Sequence, residues 1–295
     1  MFWFGTWNNH DPSFGRTFRR YGTECPICSA RYSANVESFP PEYRAASLIV
    51  LRMVVLIKSL CIWYVMRIDE MTTKEFEKVV KNNPLVIIPL GATESHGSHL
   101  PLGTDTFQPE YVANIVAKKC GNVLVAPTLP YGQHSTARNV PGTMDISFDT
   151  LRAVISDLLN ALMRHGIRRI MIISGHAGTS HMVAVTEACR TIAEKNDVDI
   201  TFFSDFQIAD ECGMDECKGD GHAGFIETSR MLHINPELVG KERLKGSYKS
   251  FGFKIVGDAS KCMPEGVVGD TGKSSAEHGR KINEFIIGEI TRMIG

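Results

Sequence analysis

A chain of 295 residues with 32 Lys+Arg, 33 Asp+Glu and a net charge of −1 holds one large or two small domains, and that balance excludes a nucleic-acid binder working through a broad basic face. At 43 % hydrophobic and 22 % charged, the composition excludes a largely disordered protein. The 8 cysteines are too dilute for a disulfide scaffold, and with only Cys25/Cys28 and Cys212/Cys217 close together they point to a reducing cytoplasm.

In chain order, residues 1–44 are aromatic- and Arg-rich, without a period of 2 or 3.6. Cys25-Pro-Ile-Cys28 resembles half of a zinc ribbon, but no second C-x-x-C follows, so it reads as two thiols. The apolar run at 45–66 is long enough to span a bilayer, yet Arg52 and Lys58 lie inside it, each costing roughly 2.5–3.5 kcal/mol near a helix centre. It starts too late for a signal peptide. Residues 1–65 therefore read as a poorly structured or dispensable extension, with a membrane anchor disfavoured, and 66–295 as the catalytic domain.

From Met66 onward strands and helices alternate. The sequence predicts strands over 85–90, 123–126, 170–173 and 199–203. It predicts helices over 105–119 (with Pro109 in the first turn), 147–165 (closed by Gly166), 179–195, from about Gly224, and over 276–294. Short apolar strands separated by helices imply an α/β fold with a mostly parallel sheet covered on both faces.

In such sheets the functional loops follow the carboxyl ends of strands. Three such segments carry chemistry: Glu94-Ser-His96-Gly-Ser-His99-Leu-Pro-Leu-Gly-Thr-Asp105, Ser174-Gly-His176-Ala-Gly178, and His222-Ala-Gly-Phe-Ile-Glu227. Glu94 and His96 are two apart, so in extended backbone both side chains point the same way and can meet one ion. Oxygen and imidazole donors without thiolate suit Zn, Mn or Fe(II), and there are more of them than one zinc needs. His99, His165, His181, His233 and His278 read as structural. The stretch Gly266–Ser274 resembles a P-loop but has valine where the first glycine must stand, at 267.

The segment 94–105 resembles the E-x-H-G-x-H-L-P-x-x-T-D signature of the creatininase (creatinine amidohydrolase) family. Pro141-Gly-Thr143, Ser174–Gly178, His222–Ser229 and Pro264–Asp270 also fit the family pattern, so the resemblance covers residues 66–295. It implies a three-layer αβα sandwich and a dinuclear metal hydrolase of non-peptide or unusual amides, commonly a homo-oligomer such as a hexamer. By that resemblance Glu94, Asp105 and His176 hold one divalent cation, and His96 and Asp105 hold the second, with Asp105 bridging. His222 then serves as proton donor or substrate contact. The departing nitrogen must be protonated, a task suited to histidine.

The chain departs from the family pattern twice. In Pro130–Thr143 the family's serine is His134 and its histidine is Ala137; His134 and Arg138 are therefore the candidate substrate-binding residues, and creatinine itself is not the expected substrate. The glutamate that ligates the second metal in creatininase falls at Gly178. Glu227 is the replacement candidate. A five-residue offset turns roughly 500° around a helix, so His222 must lie in the loop and Glu227 in the first turn of the helix. The expected reaction is cleavage of a C–N bond in a cyclic amide or formamide. The alternatives are a formamidopyrimidine-type deformylase of flavin or deazaflavin biosynthesis, a peptidase of modified-peptide maturation, and a membrane-tethered non-catalytic homologue.

Overall fold

The computed structural model describes residues 65–295. The extension, with Cys25, Cys28 and nearly all of the apolar run, lies outside the described residues. Among the described residues no helix is long and apolar enough to cross a membrane.

The fold is built around β2 (Leu85–Leu90), whose six residues are all buried. Burial on both faces places it at the centre of a sheet, where each Leu, Ile or Val contributes roughly 1.5–3 kcal/mol. It is flanked by β1 (Met66–Arg67), β3 (Val123–Val125), β4 (Arg169–Ser174) and β5 (Asp199–Ser204) in the order β1-β3-β2-β4-β5, and every pairing is parallel. A separate antiparallel ribbon joins β6 (Lys245–Gly246) to β7 (Gly269–Asp270).

The period-2 alternation of β2 divides the core. Leu85 and Ile87 pack with Val112, Ala113 and Val116 of α2 (Thr104–Lys119) and with Ile282, Ile286 and Ile290 of α7 (Ala276–Ile294). Val86, Ile88 and Leu90 face Leu151, Ile155 and Leu159 of α3 (Phe148–Arg164), together with Ala184, Val185 and Ala188 of α4 (Thr179–Ala193). The result is the three-layer αβα sandwich. The chain leaves β2 for one helical layer and leaves its neighbour β4 for the other. Their connections part at the carboxyl end of the sheet, the place where ligands bind in open α/β sheets.

The expected strands and helices are present, with ends shifted by at most a few residues. Five of these elements were not expected from the sequence: β1, β6, β7, α1 (Thr73–Val80) and α5 (Asp205–Ala209). The start of α1 carries a legible signal, since Thr72 and Glu75 form a capping box; α5 is too short to show a period. Pro109 departs from expectation: it lies in the second turn of α2, not the first. Having no N–H, it leaves the Asp105 carbonyl without its helical donor. Gly175 packs against that carbonyl so closely that any Cβ there would collide with it. The turn after β4 is thereby pressed onto the start of α2. A buried ion pair, Arg230–Asp205 at 2.6 Å with Arg230 also bonded to Asn283, ties α5, α6 (Phe225–Ile234) and α7 together.

Candidate metal centre

Beyond β2 the loop 91–103 is held by the Glu94 N–H on the Leu102 carbonyl (2.9 Å), and Glu94, His96 and Asp105 are all buried. His96 donates Nδ1–H to the Glu94 carbonyl (3.0 Å) and aims Nε2 at Asp105 Oδ1 (2.9 Å). His176, just after β4, donates Nε2–H to the Gln133 carbonyl (3.2 Å). Its Nδ1 lies 3.1 Å from Asp105 Oδ2 and 3.0 Å from Glu94 Oε2. In both histidines a backbone carbonyl orients one nitrogen and the other meets carboxylates, an arrangement typical of metal-ligating imidazoles.

Helix α6 starts at Phe225 behind the N-cap Gly224, so His222 lies in the loop and Glu227 in the first turn, as the offset argument requires. Glu227 Oε2 accepts the Ala223 N–H (2.6 Å) and stands 3.7 Å from His96 Nε2. His222 donates Nε2–H to the Ser95 carbonyl (2.8 Å), with its ring centroid 4.4 Å from that of His96. Among the described residues, three groups have donor atoms within 4.8 Å of one another inside each group: Glu94/His134/His176, Glu94/His96/His222 and His96/Asp105/Glu227.

Burial opposes charge on His96, but Asp105, Glu227 and Glu94 outweigh it and raise the imidazole to about 10. Burial likewise opposes charge on His176, and Glu94 with Asp105 overcome it and hold it well above its usual range. Despite burial, His176 and His222 keep Glu94 well below the carboxylate range, while His96 and His176 lower Asp105. Burial, reinforced by Asp105, raises Glu227 to about 8, and it lowers His222.

This donor set fits divalent Zn, Mn or Fe(II). A cation would compete with protons on the raised groups His96, His176 and Glu227. Binding of a divalent cation should release protons, and apparent affinity should climb as pH rises from about 6 to 8. Calorimetry in buffers of different ionisation enthalpy reads this directly. An enthalpy independent of buffer would contradict it.

The structure thus brings together Glu94, His96, Asp105, His176, Glu227 and His222. His134, a candidate substrate contact, also enters one donor set. Arg138 does not join the cluster: it is exposed and pairs with Asp145 (2.9 Å), whose other oxygen accepts the His134 N–H (2.7 Å). His181, read as structural, is buried with its ring edge-on to His176, centroids 4.9 Å apart, and accepts the Gln133 N–H at Nδ1 (3.3 Å). It braces the peptide that orients His176. Only its position in the first turn of the helix after Gly178 could have pointed to that role. His99 is buried and bonded to the Thr228 hydroxyl at 2.8 Å. Cys212 and Cys217 are free thiols in contact, with sulfurs 3.1 Å apart.

The family model described as creatinine amidohydrolase matches residues 69–294. A mycofactocin precursor peptide peptidase of Mycobacterium ulcerans (strain Agy99) is 31 % identical over 73 % of this chain and 86 % of its own length. Creatinine amidohydrolase of Pseudomonas putida is 30 % identical over 60 % of this chain and 75 % of its own. The solved structure "Creatininase Mn" superposes with a TM-score of 0.70 at 25 % identity, over 78 % of this chain and 98 % of that one. With such relatives, this sandwich and its carboxylate–imidazole cluster define the class: the chain is an enzyme, a hydrolase acting on carbon–nitrogen bonds. Within that class it belongs to the creatininase family.

Proposed function

We propose that the chain is a dinuclear metal-dependent amidohydrolase that cleaves the C–N bond of a small cyclic amide or a formamide. One observation carries the reading. The two oxygens of Asp105 face different imidazoles, Oδ1 toward His96 and Oδ2 toward His176, which is the geometry of a carboxylate shared between two cations. Glu94, Asp105 and His176 would hold one ion; His96, Asp105 and Glu227 would hold the other.

When bound, such ions acidify water and polarise a carbonyl. The protein's own part is orientation and proton transfer. The Glu94 and Gln133 carbonyls fix the rings of His96 and His176. The Ser95 carbonyl fixes Nε2–H of His222, which leaves Nδ1 as an acceptor. His222 takes a proton at Nδ1 from the attacking water and returns it to the departing nitrogen, which is too basic to leave as an anion.

The test is metal analysis of the purified full chain, followed by an amide panel of creatinine, formylaminopyrimidines and short peptides. About two equivalents of Zn, Mn or Fe(II) with turnover of a non-peptide amide support the reading. A metal-free chain that is inactive after reloading contradicts it. The 31 % identical peptidase favours a second reading, a modified peptide as substrate, and turnover confined to the peptides would establish that one.

Residues 66–295 form the catalytic domain in this reading, and the chain acts as a homo-oligomer, with exposed Phe253 and Ile255 supplying apolar surface for contacts between copies. A 66–295 fragment should be soluble and should bind the same metal equivalents as the full chain. An insoluble or metal-free product would show that the extension belongs to the fold.

A further inference from the structure

His134 is 1 % exposed, and neither of its ring nitrogens has a hydrogen-bond partner. A neutral imidazole buried this way leaves a donor and an acceptor unmet, each costing roughly 1–3 kcal/mol, so packing alone accounts poorly for it. Its Nδ1 lies 3.4 Å from Glu94 Oε2, an oxygen that is itself buried and accepts no well-aligned hydrogen bond although His176 Nδ1 is 3.0 Å away. Two imidazole nitrogens thus approach one carboxylate oxygen without hydrogen-bond geometry, as donors do when they converge on a common centre. The His134 and His176 rings have centroids 4.7 Å apart and are tilted by 56°.

The backbone on both sides of His134 is anchored. Its own N–H is held by Asp145 at 2.7 Å; the Gln133 carbonyl accepts from His176 Nε2–H, and the Gln133 N–H donates to His181. The ring is thereby positioned by the residues that position His176. Gly178, in the same turn as His176, has no side chain to donate, and a Cβ there would lie 2.5 Å from His176 Nε2.

We propose that His134 is a metal ligand, its Nδ1 completing with Glu94 and His176 the donor set of one of the two cations. This rests on the dinuclear reading above. Nε2 then carries the proton. A neutral imidazole makes this site richer in nitrogen, and nitrogen donors favour Zn or Fe(II) over Mn, which prefers oxygen.

The test uses the full chain, stripped by a chelator and titrated with Co(II) and Zn(II), as wild type, His134→Ser and His134→Asp. The serine variant should lose roughly 10–100-fold in affinity for one equivalent and keep the other, a loss of the size seen when a metal site's supporting contacts are removed. The visible Co(II) band of the weakened equivalent should shift, and one hyperfine-shifted exchangeable imidazole N–H signal should vanish. His134→Asp, which restores a donor, should recover affinity and move the preference toward Mn. A thermal melt of each metal-free variant separates loss of a ligand from loss of the fold, and the N–H count on the wild type stands without any variant. If wild type and both variants bind two equivalents equally, with unchanged Co(II) spectra, His134 is not a ligand and the dinuclear reading survives. If wild type binds no metal, both fall.

Discussion

Asp105→Ala should strip the chain of both metal equivalents and abolish hydrolysis. The side chain is buried at the start of α2 and stands between the two imidazoles, 2.9 Å from His96 and 3.1 Å from His176. Losing a ligand unique to one site would leave the other ion bound; losing the shared carboxylate weakens both. It also removes a negative charge that raises His96 and His176. Removal of a single oxyanion donor costs roughly 10²–10³ in kcat, and loss of a carboxylate serving two ions should exceed that. Elemental analysis and turnover on the same preparation decide it. One full equivalent of metal with substantial activity would mean that Asp105 is not a bridge.

Glu227→Gln should weaken one metal equivalent selectively and collapse turnover while the fold stays intact. The amide oxygen of glutamine can still accept the Ala223 N–H, so the start of α6 keeps its support. What disappears is the carboxylate donor facing His96 Nε2 at 3.7 Å. If the carboxylate served only the helix dipole, the change would cost roughly 0.3–1 kcal/mol of stability and leave metal binding alone. Titration of metal-free protein separates the two: a ligand role predicts one weak and one tight equivalent, a helix-end role two tight ones and near-normal rates. The metal-linked proton release should also fall by about one, since the Glu227 carboxyl, raised to about 8 by burial, is among the groups a cation deprotonates.

Much of the fold and of the candidate site is legible in the sequence wherever the determining interactions are close in the chain. Glu94 and His96 share a side because extended backbone repeats every two residues. Ser147 and Ser275 cap helices through side-chain bonds three residues ahead, so those boundaries can be read locally. The all-apolar 85–90 segment announces a strand buried on both faces. The placement of His222 in a loop and Glu227 in a first turn follows from helical pitch alone.

The sequence by itself therefore determined the fold class, the signature at 94–105 and the kind of chemistry its donors allow, because those depend on periodicity, capping and residue type over a few positions. Only the tertiary structure decided which histidines meet which carboxylates. His176 reaches Asp105 across 71 positions, and His222 reaches Ser95 across 127, because the strand order sets β2 beside β4 and the second-turn Pro109 lets Gly175 settle on α2. The same packing turned His134 inward toward Glu94 and left Arg138, four residues on, outside with Asp145. Nothing in their local sequence separates these two outcomes, since a side chain's direction in an irregular loop is set by what the loop is packed against.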